Sequence, residues 1–143
     1  MSIESPRIAI LGAGFAALTA ARELRKRSPK ARISLLSPST DFVYLPSLIW
    51  IPPGIRKGSD LIIPLAHFLK KYRIEHVRCS VTGLIHGGRT VLTDSGEFHN
   101  DALLIATGGR FLKGMPGIEH ALTLCDASIL STSSKFSNMQ TQH

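Results

Sequence analysis

The small residues Gly12, Gly14 and Ala17 form the pattern in this chain best suited to binding chemistry. They follow an apolar run, Ile8 to Leu11, and match G-x-G-x-x-G/A. In this pattern the first glycine permits a sharp turn, the second lets the backbone approach a pyrophosphate, and the third small residue lets a helix pack closely on the strand. The helix N-terminus then directs N–H groups and a partial positive charge at the phosphates. We therefore predict a dinucleotide-binding turn; the alternative is a tight strand–helix turn that binds nothing.

Thiols and imidazoles are the other reactive groups. Cys79 and Cys125 lie far apart and form no C-x-x-C motif, which disfavours a zinc or thioredoxin-type site. None of the six histidines has metal-ligand spacing with a partner, and no Ser-His-Asp arrangement is evident, so no metal site is predicted. Cys79 is predicted to be a small buried apolar residue. For Cys125 the residues alone leave a functional and a structural role equally open.

The elements that would position the glycine turn form one βαβ unit. We predict strands at Ile8–Leu11 and Ala31–Ser37 with a helix at Phe15–Lys26 between them. The second strand of such a unit normally ends in Asp or Glu, which holds a ribose 2′-hydroxyl. Ser37 stands there and can hydrogen-bond a ribose without the help of a charge. Asp41 is predicted to be a loop acid or a helix cap.

Residues 42–58 form an aromatic loop or short helix that contains Phe42, Tyr44 and Trp50. Such a cluster suits the lining for a flat ring or a contact with another domain. A hydrophobic plug beneath the sheet is the alternative.

The second half of the chain continues the α/β pattern. We predict a helix at Ile62–Tyr72 that begins near Pro64, a strand at Ile74–Val77, and a three-stranded antiparallel meander within Cys79–His99. Asp101–Gly108 then returns as a buried strand of the parallel sheet. The apolar side chains at helical spacing, expected in the core, are Leu65, Phe68, Leu69 and Tyr72. The predicted fold class is α/β, Rossmann-like, with a parallel sheet and an inserted antiparallel meander.

Composition excludes some classes of function. The chain has 143 residues, 43% hydrophobic and 19% charged, with a formal net charge of +7. Its basic residues cluster around the first helix and lack interleaved aromatics, so they indicate a solvated face rather than a nucleic-acid interface. No signal peptide is visible, and no apolar stretch approaches the roughly 20 residues that span a bilayer. An intracellular location is expected.

Two distant stretches resemble one family. Gly12-x-Gly14 and, after the meander, Asp101-x-Leu-Leu-Ile-Ala-Thr-Gly108 are similar to the FAD-binding half of the FAD-dependent pyridine nucleotide-disulfide oxidoreductases. Within these flavoproteins the resemblance is to the sulfide:quinone oxidoreductase branch, with flavocytochrome c sulfide dehydrogenase and type II NADH dehydrogenases as relatives. It covers about residues 5–126. The narrower likeness lies in Leu36-Ser37-Pro38, Tyr44–Trp50 with Gly54, Lys71–Glu75, Val81-Thr82 and Ala121–Cys125.

The resemblance implies a role for each matching position. The implied FAD contacts are Gly12, Gly14, Phe15 and Ala16 at the pyrophosphate; Ser37 and Pro38 at the ribose; Pro46 and Ser47 toward the flavin; the Val81 backbone at the adenine; and Ala106, Thr107 and Gly108 along the cofactor's edge. Cys125 would be the sulfur-handling or accessory thiol at the catalytic centre.

The resemblance also implies an activity: two-electron transfer from a small sulfur compound through FAD to a quinone. Family members are much longer, and their further length would hold a second nucleotide-binding domain, more redox cysteines and the membrane-attaching C-terminal segment. We therefore expect an FAD-binding domain at residues 1–125, a polar disordered tail at 126–143, and no turnover by this fragment alone. The expected location is cytoplasmic, or peripheral on the inner face of a membrane through the part that is absent.

Two alternatives remain open. The chain could be an NAD(P)-binding Rossmann domain of a type II NADH dehydrogenase-like or sensor protein, although it lacks the Tyr-x-x-x-Lys pair of short-chain reductases. It could also be a truncated, non-catalytic scaffold that self-associates into a homo-oligomer through uncovered apolar surface.

Overall fold

The computed structural model describes residues 5–109 and 114–117. These residues fall into two compact units: one contains residues 5–42 and 64–108, and the other contains residues 43–63, 109 and 114–117. The expected polar tail lies outside the described residues, and the boundary at residue 125 stays a prediction.

The first unit begins with the βαβ arrangement that the glycine turn predicts. Strand β1 (Arg7–Leu11), helix α1 (Phe15–Arg27) and strand β2 (Arg32–Ser37) have nearly the predicted bounds. β1 and β2 pair in parallel, with Leu11 opposite Leu36. Ala17 and Ala21 on α1 are completely buried, so small side chains let the helix lie close to the sheet.

Two short strands, β3 (Asp41–Val43) and β4 (Ile62–Pro64), form a separate two-stranded sheet. They are followed by helix α2 (Ala66–Tyr72) and strand β5 (Glu75–Arg78). The prediction of a helix from Ile62 was wrong, because a residue before proline is driven out of the helical region and α2 begins only after Pro64. The prediction for Asp41 was also wrong, since it begins a strand after a turn in which Ser39 Oγ accepts its N–H at 3.1 Å.

The predicted meander is confirmed. Strands β6 (Val81–Ile85), β7 (Thr90–Thr93) and β8 (Gly96–His99) form a three-stranded antiparallel sheet. Strand β9 (Ala102–Ile105) then pairs in parallel with β1. The main sheet therefore has the order β5-β2-β1-β9, and the predicted fold class is confirmed.

Apolar residues of β1 alternate between the two faces of the sheet. Ile10 joins the cluster beneath α1 and α2, which also receives Leu65 and, at its margin, Phe68, Leu69 and Tyr72, as predicted. Ala9 and Leu11 join the opposite cluster with Val91 of the meander. Helices thus cover one face of the sheet and the meander the other, and the carboxyl ends of the strands remain as the edge where loops collect.

The aromatic stretch divides between the two units. Phe42 is 9% exposed and packs in the cluster beneath α1, which fits the plug alternative for this residue. Tyr44 and Trp50 belong to the second unit and are 40% and 43% exposed. That unit contains a short 3₁₀ helix, Leu45–Trp50, and a small cluster of Leu48, Ile51 and Leu61.

Candidate functional site

Four loops leave the carboxyl edge of the parallel sheet, and backbone hydrogen bonds link neighbouring loops. The N–H of Gly12 donates to the Leu36 carbonyl at 2.8 Å, and the N–H of Ala106 donates to the Leu11 carbonyl at 2.9 Å. The N–H of Cys79 donates to the Ser37 carbonyl at 3.3 Å. The ladder therefore continues past the strand ends, and it fixes the loops after β1, β2, β5 and β9 relative to one another.

Gly12 lies against the last of these loops. Its φ of +107° lies in a region that favours glycine. A Cβ added there would overlap the Ala106 carbonyl oxygen and lie 2.9 Å from the Ala106 carbonyl carbon. No side-chain rotation relieves that overlap, since the neighbouring atoms belong to the backbone.

Gly14 differs from Gly12 in that its surroundings are open. It is exposed, and a Cβ built on it would meet nothing within 4 Å. It serves as the N-cap of α1, whose first turn carries no acidic residue and has no side-chain cap. The N–H of Leu18 donates to the Gly14 carbonyl at 3.0 Å. A bare, uncapped helix N-terminus beside open space is an environment that favours an anion.

The two residues that follow Gly14 are exposed at the start of α1. Phe15 is 51% exposed, and its ring meets the Phe42 ring edge-on with centroids 4.7 Å apart. Ala16 is also exposed, whereas Ala17 is fully buried. The helix thus turns its small buried face to the sheet and leaves its first turn accessible, as the glycine pattern predicts.

At the end of β2, Ser37 is only 4% exposed and is already hydrogen-bonded. Its hydroxyl donates to the Ser39 carbonyl at 2.7 Å and lies 2.9 Å from Nε2 of His76 on β5. Since the single hydroxyl hydrogen goes to Ser39, His76 Nε2 is the donor in the second contact. A ribose contact by Ser37 stays a prediction, and in this geometry Ser37 can only accept a hydrogen bond from the sugar.

Arg78 also approaches the end of β2. It pairs with Ser37 in the parallel register, and its Nε donates to the Pro38 carbonyl at 3.2 Å. The sequence interpretation singled out neither Arg78 nor His76 for this place. Finding them would have required the register of β5 against β2. That register cannot be read from the sequence, because the two strands are about 40 residues apart.

The loop after β5 leads to Val81, the predicted adenine contact. Asp94 and Ser80 close this loop with two hydrogen bonds, because the Ser80 N–H donates to the Asp94 carboxylate at 3.0 Å and the Asp94 N–H donates to the Ser80 carbonyl at 3.0 Å. The Ser80 N–H lowers the pKa of Asp94, so the bond is charge-assisted at neutral pH. The backbone leading into Val81 is therefore held in place before β6 begins.

The remaining predicted residues fall in three groups. Thr107 and Gly108 are exposed in the loop after β9, close to Gly12 through Ala106. Pro46 and Ser47 belong to the second unit, where Pro46 is exposed and Ser47 is buried. Cys125 lies outside the described residues. All of these assignments stay predictions.

Cys79 has the properties of a structural residue, as predicted. It is free and 3% exposed among apolar neighbours. Burial raises the pKa of its thiol, and the charge of Asp94 raises it further. A thiol kept protonated in this way is a poor nucleophile. In the part of the chain that the structure describes, no group of His, Cys, Asp and Glu side chains could hold a metal ion.

A glycine turn from strand to helix, at the carboxyl edge of a parallel sheet with helices on one face, defines the dinucleotide-binding α/β class. Comparison with known families narrows the class. Residues 6–139 match the pyridine nucleotide-disulphide oxidoreductase family. The chain belongs to this family of flavin-dependent oxidoreductases, and the resemblance found in the sequence is confirmed.

Individual relatives agree with the family. The chain is 31% identical over 122 residues to the sulfide-quinone reductase of Aquifex aeolicus, covering 84% of this chain and 28% of that protein. It is 26% identical over 113 residues to the type II NADH:quinone oxidoreductase of Staphylococcus saprophyticus, covering 76% of this chain and 27% of that protein. The X-ray structure of the A. aeolicus sulfide:quinone oxidoreductase superposes with a TM-score of 0.85 at 30% identity, over 96% of this chain and 33% of that one.

The chain spans less than a third of the length of these curated relatives. Among the residues that the structure describes, no helix combines the length and the apolar character needed to cross a bilayer.

Proposed function

We propose that this chain is the FAD-binding portion of a flavin-dependent oxidoreductase resembling sulfide:quinone oxidoreductase. In the whole enzyme, two electrons would pass from a sulfur compound through FAD to a quinone. The proposed electron donor and acceptor are those for which the relatives are named, and the resemblance in sequence supports the same pair.

The observation that supports the proposal best is the contrast between the two glycines of the turn. Gly12 is enclosed by the backbone of Ala106, whereas Gly14 faces open space at the uncapped N-terminus of α1. A turn that only joined a strand to a helix would have no need of a bare residue at Gly14. A diphosphate does need it, because its oxygens must approach backbone N–H groups that a side chain would shield.

The residues around this turn fit the parts of FAD in order. The N-terminus of α1 would hold the pyrophosphate, and the loops after β2 and β5 would place Pro38 at the ribose and the Val81 backbone at the adenine. Thr107 and Gly108 would border the cofactor where the loop after β9 meets Gly12. When bound, FAD supplies the two-electron chemistry, and the residues described here bind and orient it.

We further propose that this length of chain does not turn over alone. The relatives are more than three times as long as the part matched here, and the quinone and sulfur sites would need parts that this sequence does not contain. We also propose that the whole enzyme lies at the inner face of a membrane, because a quinone acceptor dissolves in the bilayer. We also retain two predictions from the sequence. Cys125 would be the sulfur-handling thiol, and the chain would self-associate.

The test is a visible absorbance spectrum of the purified chain, mixed with FAD and freed of unbound cofactor. We expect the flavin spectrum to be retained, and no reduction of quinone when sulfide is supplied. A colourless protein that retains no added FAD would contradict the proposal.

A matched pair of variants assigns retention of FAD to the turn. Gly14→Val fills the open space at the helix N-terminus, and we expect FAD affinity to fall at least about tenfold with the circular dichroism unchanged. Gly83→Ala, in β6, places a Cβ 3.4 Å from Leu92, an ordinary contact, and should retain FAD. Equal FAD retention by both variants would show that the cofactor binds elsewhere.

A further inference from the structure

The second unit exposes an apolar patch made of Pro46, Ile49, Trp50 and Ile55. Ile49 and Ile55 are more than half exposed, Trp50 is nearly half exposed, and Pro46 is exposed as well. Residues three apart in a 3₁₀ helix lie on one ridge, so Pro46 and Ile49 share the outer ridge of Leu45–Trp50. Contiguous apolar side chains on a surface mark a place where a protein or a membrane binds.

The backbone holds the patch in one place. The N–H of Arg56 donates to the Trp50 carbonyl at 3.0 Å, which closes the loop and brings Ile55 back beside Trp50. Leu48, on the same 3₁₀ helix, lies on the inner side in the small buried cluster of this unit. The patch is therefore what remains outside after the unit has buried its own apolar core.

Cations border the patch, and the acids near them are few. Arg56 and Lys57 are exposed and directly follow Ile55, and residues 42–59 contain no acidic residue. Asp60 comes next, and its carboxylate accepts the backbone N–H of Lys57 at 2.9 Å. In the part of the chain that the structure describes, neither Arg56 nor Lys57 forms an ion pair. Their side-chain charges are therefore available to an anionic partner.

This combination suits the surface of an anionic bilayer better than a second copy of the chain. Tryptophan is enriched at the boundary between lipid and water, and isoleucine can enter the acyl region there. Arginine and lysine reach lipid phosphates through long apolar stems. A second copy that bound the same patch in a two-fold arrangement would bring Arg56 and Lys57 towards their own counterparts, where like charges repel.

We propose that the apolar patch, with Arg56 and Lys57, docks on the surface of an anionic lipid bilayer, so that this chain makes a membrane contact of its own. The inference rests on the proposed function and adds a partner to it, because a quinone acceptor dissolves in the bilayer. Ser47, which is predicted to lie toward the flavin, is on the same 3₁₀ helix as Ile49 and Trp50. The contact would therefore bring the flavin end of the site close to the lipid.

The test uses the fluorescence of Trp50, the only tryptophan of the chain, which reports on the patch without a label. The purified chain is mixed with phosphatidylcholine vesicles that contain or lack phosphatidylglycerol. With the anionic vesicles we expect the emission to shift to shorter wavelength and to be quenched by brominated acyl chains. The shift should be smaller with phosphatidylcholine alone, and it should shrink as salt is added.

A matched pair of double variants assigns the charge contribution, measured by co-sedimentation with the anionic vesicles. Arg56→Gln with Lys57→Gln should weaken binding at least about tenfold, since each cation near an anionic surface contributes several-fold. Arg27→Gln with Lys30→Gln removes the same charge from exposed positions at the end of α1 and in the loop that follows, and it should bind as the parent does.

A third double variant, Ile49→Ser with Ile55→Ser, assigns the apolar contribution. It should weaken binding at least about fivefold, because less apolar surface enters the lipid. Both side chains are exposed, so the circular dichroism should be unchanged.

The outcomes separate this inference from the proposed function. The inference is overturned if the Trp50 emission does not respond to anionic vesicles, or if the Arg27 and Lys30 variant loses as much binding as the Arg56 and Lys57 variant. An emission shift that depends on protein concentration and not on lipid would also overturn it, in favour of self-association. A chain that retains FAD but binds no vesicles leaves the proposed function standing. A chain that binds vesicles through Trp50 and retains no FAD supports the lipid contact and contradicts the proposed function.

Discussion

Gly12 and Gly14 are both glycines, but they differ in backbone conformation and in the space around them. Gly12 is required by the protein itself, since its positive φ and its contact with Ala106 leave no room for a Cβ. Gly14 has an ordinary φ of −84° and open space around it, so the fold does not require it. We therefore attribute the bare residue at Gly14 to the cofactor that is proposed to bind there.

The two glycines should respond differently to alanine. We expect Gly12→Ala to lower the free energy of unfolding by about 3 kcal/mol or more, because the new Cβ would collide with backbone at a strained φ. Gly14→Ala should cost less than about 1 kcal/mol, the range of a weaker N-cap. Urea denaturation of both variants measures this. Similar losses for the two would contradict the division of roles.

At the scale of elements, one side chain joins both helices to the sheet. The Arg25 guanidinium on α1 donates to four carbonyls: Tyr72 at 2.8 Å, Arg73 at 2.7 Å, Pro29 at 2.9 Å and Ala31 at 2.8 Å. It thereby ties α1 to the C-terminal end of α2 and to the residues that lead into β2. Partial burial lowers the pKa of Arg25, with a smaller effect from Arg73.

Arg25→Met should lower the free energy of unfolding by about 2 kcal/mol or more, because the partly buried carbonyls lose charged donors. Arg25→Lys should recover only part of this, since one ammonium cannot reach four acceptors in a fixed fork. Arg22→Met removes an exposed neighbour that forms an ion pair with Glu23, and it should cost less than about 0.5 kcal/mol. Denaturant unfolding measures the free energy of unfolding of the three variants. Equal losses in Arg25→Met and Arg22→Met would show that the four hydrogen bonds of Arg25 do not stabilise the fold.

A second link between elements depends on pH. Asp101, just before β9, accepts hydrogen bonds from the backbone N–H of Arg7 at 2.8 Å and from its guanidinium at 2.9 and 3.2 Å. The Arg7 side chain, followed by its N–H, lowers the pKa of Asp101 from 3.8 to about 2. In the folded protein the carboxylate is therefore charged over a range where the unfolded chain takes up a proton.

The free energy of unfolding should fall as the pH drops through this range, from the unfolded pKa near 3.8 to the folded pKa of about 2. Asp101→Asn should flatten this part of the profile, measured as the urea midpoint against pH. Glu97→Gln, which removes an exposed carboxylate from β8, should leave the slope in place. A slope unchanged by Asp101→Asn would show that the link with Arg7 does not couple to folding.

For the molecule as a whole, binding and stability should be linked. If the carboxyl edge holds FAD only in the folded state, the cofactor stabilises the fold by mass action, about 2.7 kcal/mol at a concentration one hundred times the Kd. We expect the thermal midpoint to rise steadily with FAD concentration in the parent chain and to rise less at the same concentrations in Gly14→Val, whose affinity is lower. A midpoint in the parent that does not respond to FAD would contradict the link.

The sequence predicted the parts of the fold that have local signals. The β1–α1–β2 unit has nearly its predicted bounds because an apolar run and a glycine turn each act over a few residues. The start of α2 was misplaced although Pro64 carried the signal. The contacts of His76 and Arg78 with the end of β2 could not be predicted, since they depend on the register of strands about 40 residues apart.

The contact between Gly12 and Ala106 also constrains how the protein can vary. The crowding atoms at position 106 are the carbonyl oxygen and carbon, which every amino acid carries, so no exchange of side chain there can rescue a bulkier residue at position 12. A screen for second-site suppressors of Gly12→Ala should therefore return no revertants at codon 106. Lineages that lost this glycine would have to rebuild the spacing between β1 and β9.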